Sequence, residues 1–106
     1  MKKVLITRKL IKESEDKAVK TFQAKLNSND ELYSQSKIIE MSDGYDGLLT
    51  SLTDKMDKET INKLPESVKV ISNFAVGFGN IDLDAAKKRV LLSQIHLKYY
   101  QMQQQK

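Results

Sequence analysis

The feature that most constrains this chain is a regular alternation of short apolar runs with amphipathic stretches. "KKVLIT" near the N-terminus and "VKVISNF" past the middle are β-branched and apolar, the character of strands buried on both faces of a parallel sheet. "YDGLLTSL" reads as a third strand. After the first run, "KESEDKAVKTFQAKL" places Ala18, Phe22 and Leu26 at four-residue intervals, which predicts one helix continuing through Leu26. Asn27 to Asp30 is turn-forming, "ELYSQS" suits a short polar edge strand, and "KIIEMS" suits a helical turn or a connector. Asp57 is placed to cap "KETINKL", and Pro65 stands just past its end, where a helix must stop. "NIDLDAAKKRVLL" resumes a helical pattern through Leu83, Ala86 and Val90, with acids in the first turn and lysines later, as the helix dipole favours. This β-α-β-α order predicts an α/β protein whose parallel sheet is covered by helices on both faces.

Length and charge then limit the functions open to it. A chain of 106 residues is one domain with a modest core, too small for two domains clasping a dinucleotide. Cysteine is absent, so disulfides and thiolate metal sites are excluded. The N-terminus lacks the apolar core of a signal peptide, and no apolar run approaches the roughly 20 residues of a membrane span. The expectation is a cytoplasmic protein with no membrane partner. Its net charge of +4 comes from lysines interleaved with acids, as in "DKMDKET", rather than from a basic block, so nucleic acid is not an expected partner.

The chemistry-bearing residues are few. His96 is the one histidine, and no carboxylate is arranged around it in the sequence. No catalytic residue and no metal site are expected. "GFGNID" follows a strand and opens a helix, as a dinucleotide-binding turn would, but Asp82 occupies the place of the third glycine and sets a negative charge where a pyrophosphate would lie. A cofactor site is therefore not expected. Two readings of this turn stay open. Backbone N–H groups around Val76 and Gly77, at the C-terminal end of a central strand, are able to receive one carboxylate; alternatively, Gly77 and Gly79 only turn the chain from strand to helix.

"MKKVLITRKL" and "GYDGLLTSLTDKMDKETINKLPESVKVISNFAVGFGNIDLDAAKKR" closely resemble the opening of the NAD-dependent D-isomer-specific 2-hydroxyacid dehydrogenases, within them the glyoxylate and hydroxypyruvate reductase branch. The resemblance covers about residues 1–89, and the block from "YDGLLT" to "ISNFAVGFGNID" makes it specific. It implies a partial substrate-binding domain over 1–89 with a flavodoxin-like three-layer α/β/α fold, strand order 2-1-3-4 with a possible fifth strand. It also implies that Ala75, Val76 and Gly77 match the loop whose backbone amides hold the substrate carboxylate, and that Leu52 matches a substrate-side contact. Gly79 departs from the acid or Asn common in that family. The larger departure is that the family's glycine-rich NAD motif and its arginine, acid and histidine set find no counterpart in these residues.

The terminal stretch "RVLLSQIHLKYYQMQQQK" does not continue the family pattern, which runs like G-I-P-V-T-N-T-P-E-V-L-S-D-A-T-A-E. Joining the third base of each codon to the first two of the next makes that pattern encodable beneath the tail, except that its adjacent Ile and Pro require different codons of Leu91 and are met one at a time. Two positions are forced: Tyr99 with Tyr100 gives only Leu, and Met102 with Gln103 only Ala, both as the pattern requires. Lys87, Lys88 and Arg89 mark a place for an adenine-rich slippery run. Residues 90–106 are thus expected to be a frameshift-derived tail after about Lys88. Leu91, Ile95, Tyr99 and Met102 recur at near-helical spacing, so the chain is expected to end in a C-terminal helix extending the one that starts near Ile81. An apolar stripe on such a helix, over 83–103, would favour a homodimer or larger species.

The expected function is a truncated, catalytically inactive remnant of an NAD-dependent D-2-hydroxyacid dehydrogenase, with no cofactor of its own. The alternative is a binding module that holds a small carboxylate or docks with a separately encoded dehydrogenase fragment.

Overall fold

The computed structural model describes residues 1–74 and 78–95. Nine elements follow one another there: β1 (Lys3–Ile6), α1 (Lys12–Thr21), β2 (Gln23–Lys25), α2 (Gln35–Met41), β3 (Gly47–Ser51), α3 (Lys58–Asn62), β4 (Val70–Phe74), α4 (Leu83–Arg89) and β5 (Leu91–Ile95). The five strands form one parallel sheet in the order β2-β1-β3-β4-β5. This is the doubly wound arrangement expected, with the fifth strand present.

Strand periodicity sorts the side chains between two faces. Leu5, Leu48 and Ile71 point to one face, where Ile38 of α2, Ile61 of α3 and Ala85 and Ala86 of α4 cover them. Ile6 and Leu49 point to the other, with Leu10, and with Val4, Ala18 and Phe74 partly buried beside them. The two faces are unequal. Among the described residues, twelve buried apolar side chains form the first cluster and three the second, so most of the hydrophobic stabilisation lies under α2, α3 and α4.

Polar side chains set the helix starts. Ser34 Oγ accepts from Lys37 N at 3.1 Å, Asp57 Oδ1 from Thr60 N at 2.9 Å, and Asp82 Oδ1 from Ala85 N at 3.0 Å. The turn into β3 uses Gly44 at φ 84°, a conformation that L side chains rarely adopt. Arg89 ties α4 to the α3–β4 connection by donating to the carbonyls of Leu64 at 2.6 Å, Pro65 at 2.7 Å and Val68 at 3.2 Å.

Three expectations are corrected. The first helix stops at Thr21, not Leu26. Phe22 N still donates to Ala18 O at 2.8 Å, but the chain then extends and Gln23 N donates to Lys2 O at 2.9 Å. Ala24 and Leu26 alternate onto the α1 face of the sheet, so the same spacing served a strand as well as a helix. The edge strand is consequently β2, and "ELYSQS" instead supplies the Ser34 cap and the start of α2.

The third correction concerns the helix expected to run on from about Ile81 into the tail. It begins at Leu83 and ends at Arg89, after which Val90 is extended and Leu91–Ile95 pairs with Val70–Phe74. Leu92 packs beside the main core opposite Ile71. Pairing with β4 and burial of Leu92 outweigh the helix propensity of this stretch, which amounts to only tenths of a kcal/mol per residue. The continuous 83–103 stripe expected to drive self-association is therefore interrupted at Val90. Residues 96–106, with the remainder of the expected helix, lie outside the described residues.

Candidate functional site

In an open parallel sheet, adjacent strands whose following helices pass to opposite faces leave a crevice beyond their carboxyl ends. Here that pair is β1 and β3: the chain leaves β1 for α1 on one face and β3 for α3 on the other. A cavity of about 310 Å³ lies at this point, walled by Arg8 to Ile11 after β1, Ser51 to Thr53 after β3, and Phe74 at the end of β4.

Leu52, the substrate-side residue implied by resemblance, belongs to this wall and is 62% exposed. Ala75, Val76, Gly77 and His96 lie outside the described residues. Phe74 immediately precedes the first three and lines the same cavity.

Two features of the crevice were not anticipated from sequence. The first is Arg8. Its Nε donates to Asp30 Oδ1 at 2.8 Å and its Nη2 to Asp30 Oδ2 at 3.1 Å, a two-pronged pair, while Nη1 reaches Thr53 Oγ1. Lys9 N adds a bond to Asp30 Oδ1 at 2.9 Å. Hydrogen bonding from Arg8, then from the Lys9 amide, holds the Asp30 carboxyl down at about 2, and the same pairing raises Arg8. Asp30 itself sits at φ 51°. The guanidinium is thus committed to fixing the β1 end against the Asn27 to Asp30 turn. An "R" followed much later by a "D" in a turn carried no signal of this pairing.

The second is a buried polar network beneath the crevice. Asn80 Nδ2 donates to the carbonyls of Ser51 at 2.9 Å and Asp54 at 2.8 Å, and its Oδ1 accepts from Asn73 Nδ2 at 2.9 Å. Thr50 Oγ1 donates to Asn73 Oδ1 at 2.9 Å. Asp54, 1% exposed, accepts through Oδ2 from the Thr7 hydroxyl and from Ser51 N, the latter at 2.9 Å. These bonds tie the ends of β1, β3 and β4 into one rigid rim. Asn73 and Asn80 stand on either side of residues 75–77 in the sequence.

The turn from Phe78 into α4 does not suit a dinucleotide. Asp82 already caps the helix with its own carboxylate at the place where a pyrophosphate would be received. Among the described residues, no group of three or more His, Cys, Asp or Glu is placed to hold a metal ion, and no helix is long and apolar enough to cross a membrane.

The architecture is a doubly wound α/β domain with an open crevice at the carboxyl edge of its sheet. Within it, residues 4–96 match the model of the D-isomer specific 2-hydroxyacid dehydrogenase catalytic domain, and the chain belongs to that family. It is 36% identical over 88 residues to a glycerate dehydrogenase of Hyphomicrobium methylovorum, covering 83% of this chain and 27% of that protein. It is 33% identical over 87 residues to a glyoxylate reductase of Thermococcus litoralis, covering 82% of this chain and 26% of that one. The fold is also that of apo D-lactate dehydrogenase from Escherichia coli, with a TM-score of 0.72 at 22% identity over 90% of this chain and 31% of the other. This chain spans about a quarter of the length of the curated relatives it matches.

Proposed function

We propose that this polypeptide is a remnant of an NAD-dependent D-2-hydroxyacid dehydrogenase, retaining part of the substrate-binding domain and unable by itself to transfer hydride. The observation that carries the reading is the match over residues 4–96 together with the quarter-length coverage of the relatives. Hydride transfer needs a bound nicotinamide and an acid–base residue beside the substrate. The sequence supplies four glycines, none in a G-x-G-x-x-G series, and a single histidine in its last stretch. NADH with glyoxylate, hydroxypyruvate or pyruvate tests the reading: no coenzyme oxidation above the protein-free blank is expected, and turnover proportional to protein concentration overturns it.

The coding frame is part of the same proposal. The tail after about Lys88 is the out-of-frame reading of the family's next segment, supported by the two forced positions at Tyr99 with Tyr100 and Met102 with Gln103. Sequencing the gene past Lys106 tests it. A shifted frame encoding a glycine-rich dinucleotide motif is the expected result, and its absence in every frame contradicts the origin.

A second reading is favoured by the crevice itself. Leu52 and Phe74 wall it, and Asn73 and Asn80 are hydrogen-bonded to each other beneath it, so retention of a small 2-oxo or 2-hydroxy acid, or docking with a companion dehydrogenase fragment, is compatible with the intact rim. Glyoxylate titrated while amide resonances are followed discriminates: shifts confined to Leu52, Val76 and Gly77 support binding, and unmoved resonances remove it.

A further inference from the structure

The dipeptide Asp-Gly occurs twice in "SDGYDG", and the fold treats the two copies differently. An aspartate carboxyl carbon lies within five-membered-ring reach of the next backbone nitrogen, and a following glycine leaves that nitrogen without a side chain to shield it. Which copy can close such a ring depends on how firmly each is held.

Asp46-Gly47 is locked. Asp46 N donates to Lys3 O, Asp46 Oδ2 accepts from Lys3 N and Asp46 O accepts from Lys69 N, each at 2.8 Å. Gly47 is buried in β3 between Val4 of β1 and Val70 of β4, and a Cβ built on it would lie 3.4 Å from the Val70 carbonyl oxygen. Bringing the Asp46 carboxyl onto the Gly47 nitrogen would therefore break open the start of a central strand.

Asp43-Gly44 is open. Both residues are exposed in the turn from α2 to β3, and the Asp43 carboxylate takes no hydrogen bond or ion pair among the described residues. A Cβ built on Gly44 would meet nothing within 4 Å, so the approach to its nitrogen is uncrowded. Two bonds hold this turn, Tyr45 N to Ser42 O at 3.0 Å and Gly44 N to the Ser67 hydroxyl oxygen at 3.2 Å. Neither belongs to the ladder of the sheet, so the turn opens while the core stays folded.

We propose that Asp43 is a site of covalent modification: its side chain condenses with the Gly44 amide, and the ring reopens as an isoaspartyl linkage, while Asp46 is spared. The Gly44 nitrogen loses its proton and bonds to Asp43 Cγ, and one carboxyl oxygen leaves as water. A second water then cleaves the cyclic imide at the former main-chain carbonyl, so the backbone runs on through Cβ and Cγ and the α-carboxylate hangs free. One water leaves and one enters; mass is unchanged and no oxidant, reductant or cofactor takes part. The free α-carboxylate on an exposed turn is a substrate for a carboxyl methyltransferase specific for isoaspartate. This inference stands apart from the reading of the protein as an inactive remnant.

The test is to age the full folded chain in ¹⁸O-labelled water at neutral pH, beside the same chain in urea. Trypsin then frees residues 38–55, which carry both sites, and electron-transfer fragmentation tells isoaspartate from aspartate at each. The expected result in the folded chain is ¹⁸O-bearing isoaspartate accumulating at least about tenfold faster at Asp43 than at Asp46, with the two rates converging in urea. Absence of isoaspartate at Asp43 in the folded chain, or equal accumulation at both positions there, overturns the proposal. An Asp43→Glu variant, in which the corresponding ring would be six-membered and slow to form, adds a second test. Its aged, folded form is expected to lose most labelling by the methyltransferase while its urea midpoint stays that of the parent. Labelling equal to the parent's in that variant contradicts the proposal.

Discussion

Asn73 and Asn80 meet amide to amide, Nδ2 of the first donating to Oδ1 of the second at 2.9 Å, across the segment that leads from β4 to α4. One of them is the next-to-last residue of a strand with its side chain fully buried, and the other stands just before a helix cap. Because Asn80 also holds the Ser51 and Asp54 carbonyls, one side chain joins the β3–α3 and β4–α4 connections at the carboxyl edge of the sheet.

Replacing it tests that role. Asn80→Ala leaves two carbonyls and the Asn73 amide without this partner, which costs roughly 1–3 kcal/mol by the usual penalty for a stranded polar group. Asn80→Asp is expected to be worse at neutral pH, because a carboxylate oxygen then faces the two carbonyls. Urea unfolding midpoints of the two variants against the parent check this order, and an Asp variant as stable as the parent contradicts it.

Asp30 makes stability depend on acid. Its folded-state pKa of about 2 lies below the ordinary 3.8, so the carboxylate contributes in full above that ordinary value and progressively less as pH falls toward 2. Asp30→Asn is therefore expected to be less stable than the parent at neutral pH, with the gap narrowing below about pH 4. Midpoints measured at several pH values check the sign. A gap that widens in acid contradicts the Arg8 pairing as its cause.

Local conformation gives two smaller effects. Gly44→Ala places a side chain at φ 84° with no steric neighbour within 4 Å, so the penalty is conformational and amounts to about 1 kcal/mol. Asp57→Ala removes the α3 cap to Thr60 N and is also expected to cost about 1 kcal/mol. For a domain of this size each such loss lowers Tm by roughly 4–8 °C. Thermal unfolding followed by circular dichroism checks both, and an unchanged Tm for Gly44→Ala contradicts the backbone assignment.

The strands of the sheet centre were legible in the sequence because burial leaves short, apolar-rich runs at Lys3–Ile6, Gly47–Ser51 and Val70–Phe74. Caps at Asp57 and the stop at Pro65 were legible because their chemistry is local. The edges were not. Gln23–Lys25 is short and polar, and its strand conformation comes from pairing with β1, which a helix-like spacing of Ala18, Phe22 and Leu26 conceals. Leu91–Ile95 was obscured in the same way, since its register against β4 is a long-range fact. At the crevice, Leu52 was reached through family resemblance. Arg8 with Asp30, and Asn73 with Asn80, depend on partners brought together by the turn geometry, which no spacing along the chain encodes.

A remnant of the kind proposed would form the sheet of a 2-hydroxyacid dehydrogenase domain without the parts that move electrons. The most direct measurement is NADH absorbance in the presence of the purified 106-residue chain and glyoxylate, at protein concentrations high enough to detect very slow turnover. A rate indistinguishable from the blank at every protein concentration is the expected result. A rate that rises in proportion to protein, and persists after repurification, would contradict it.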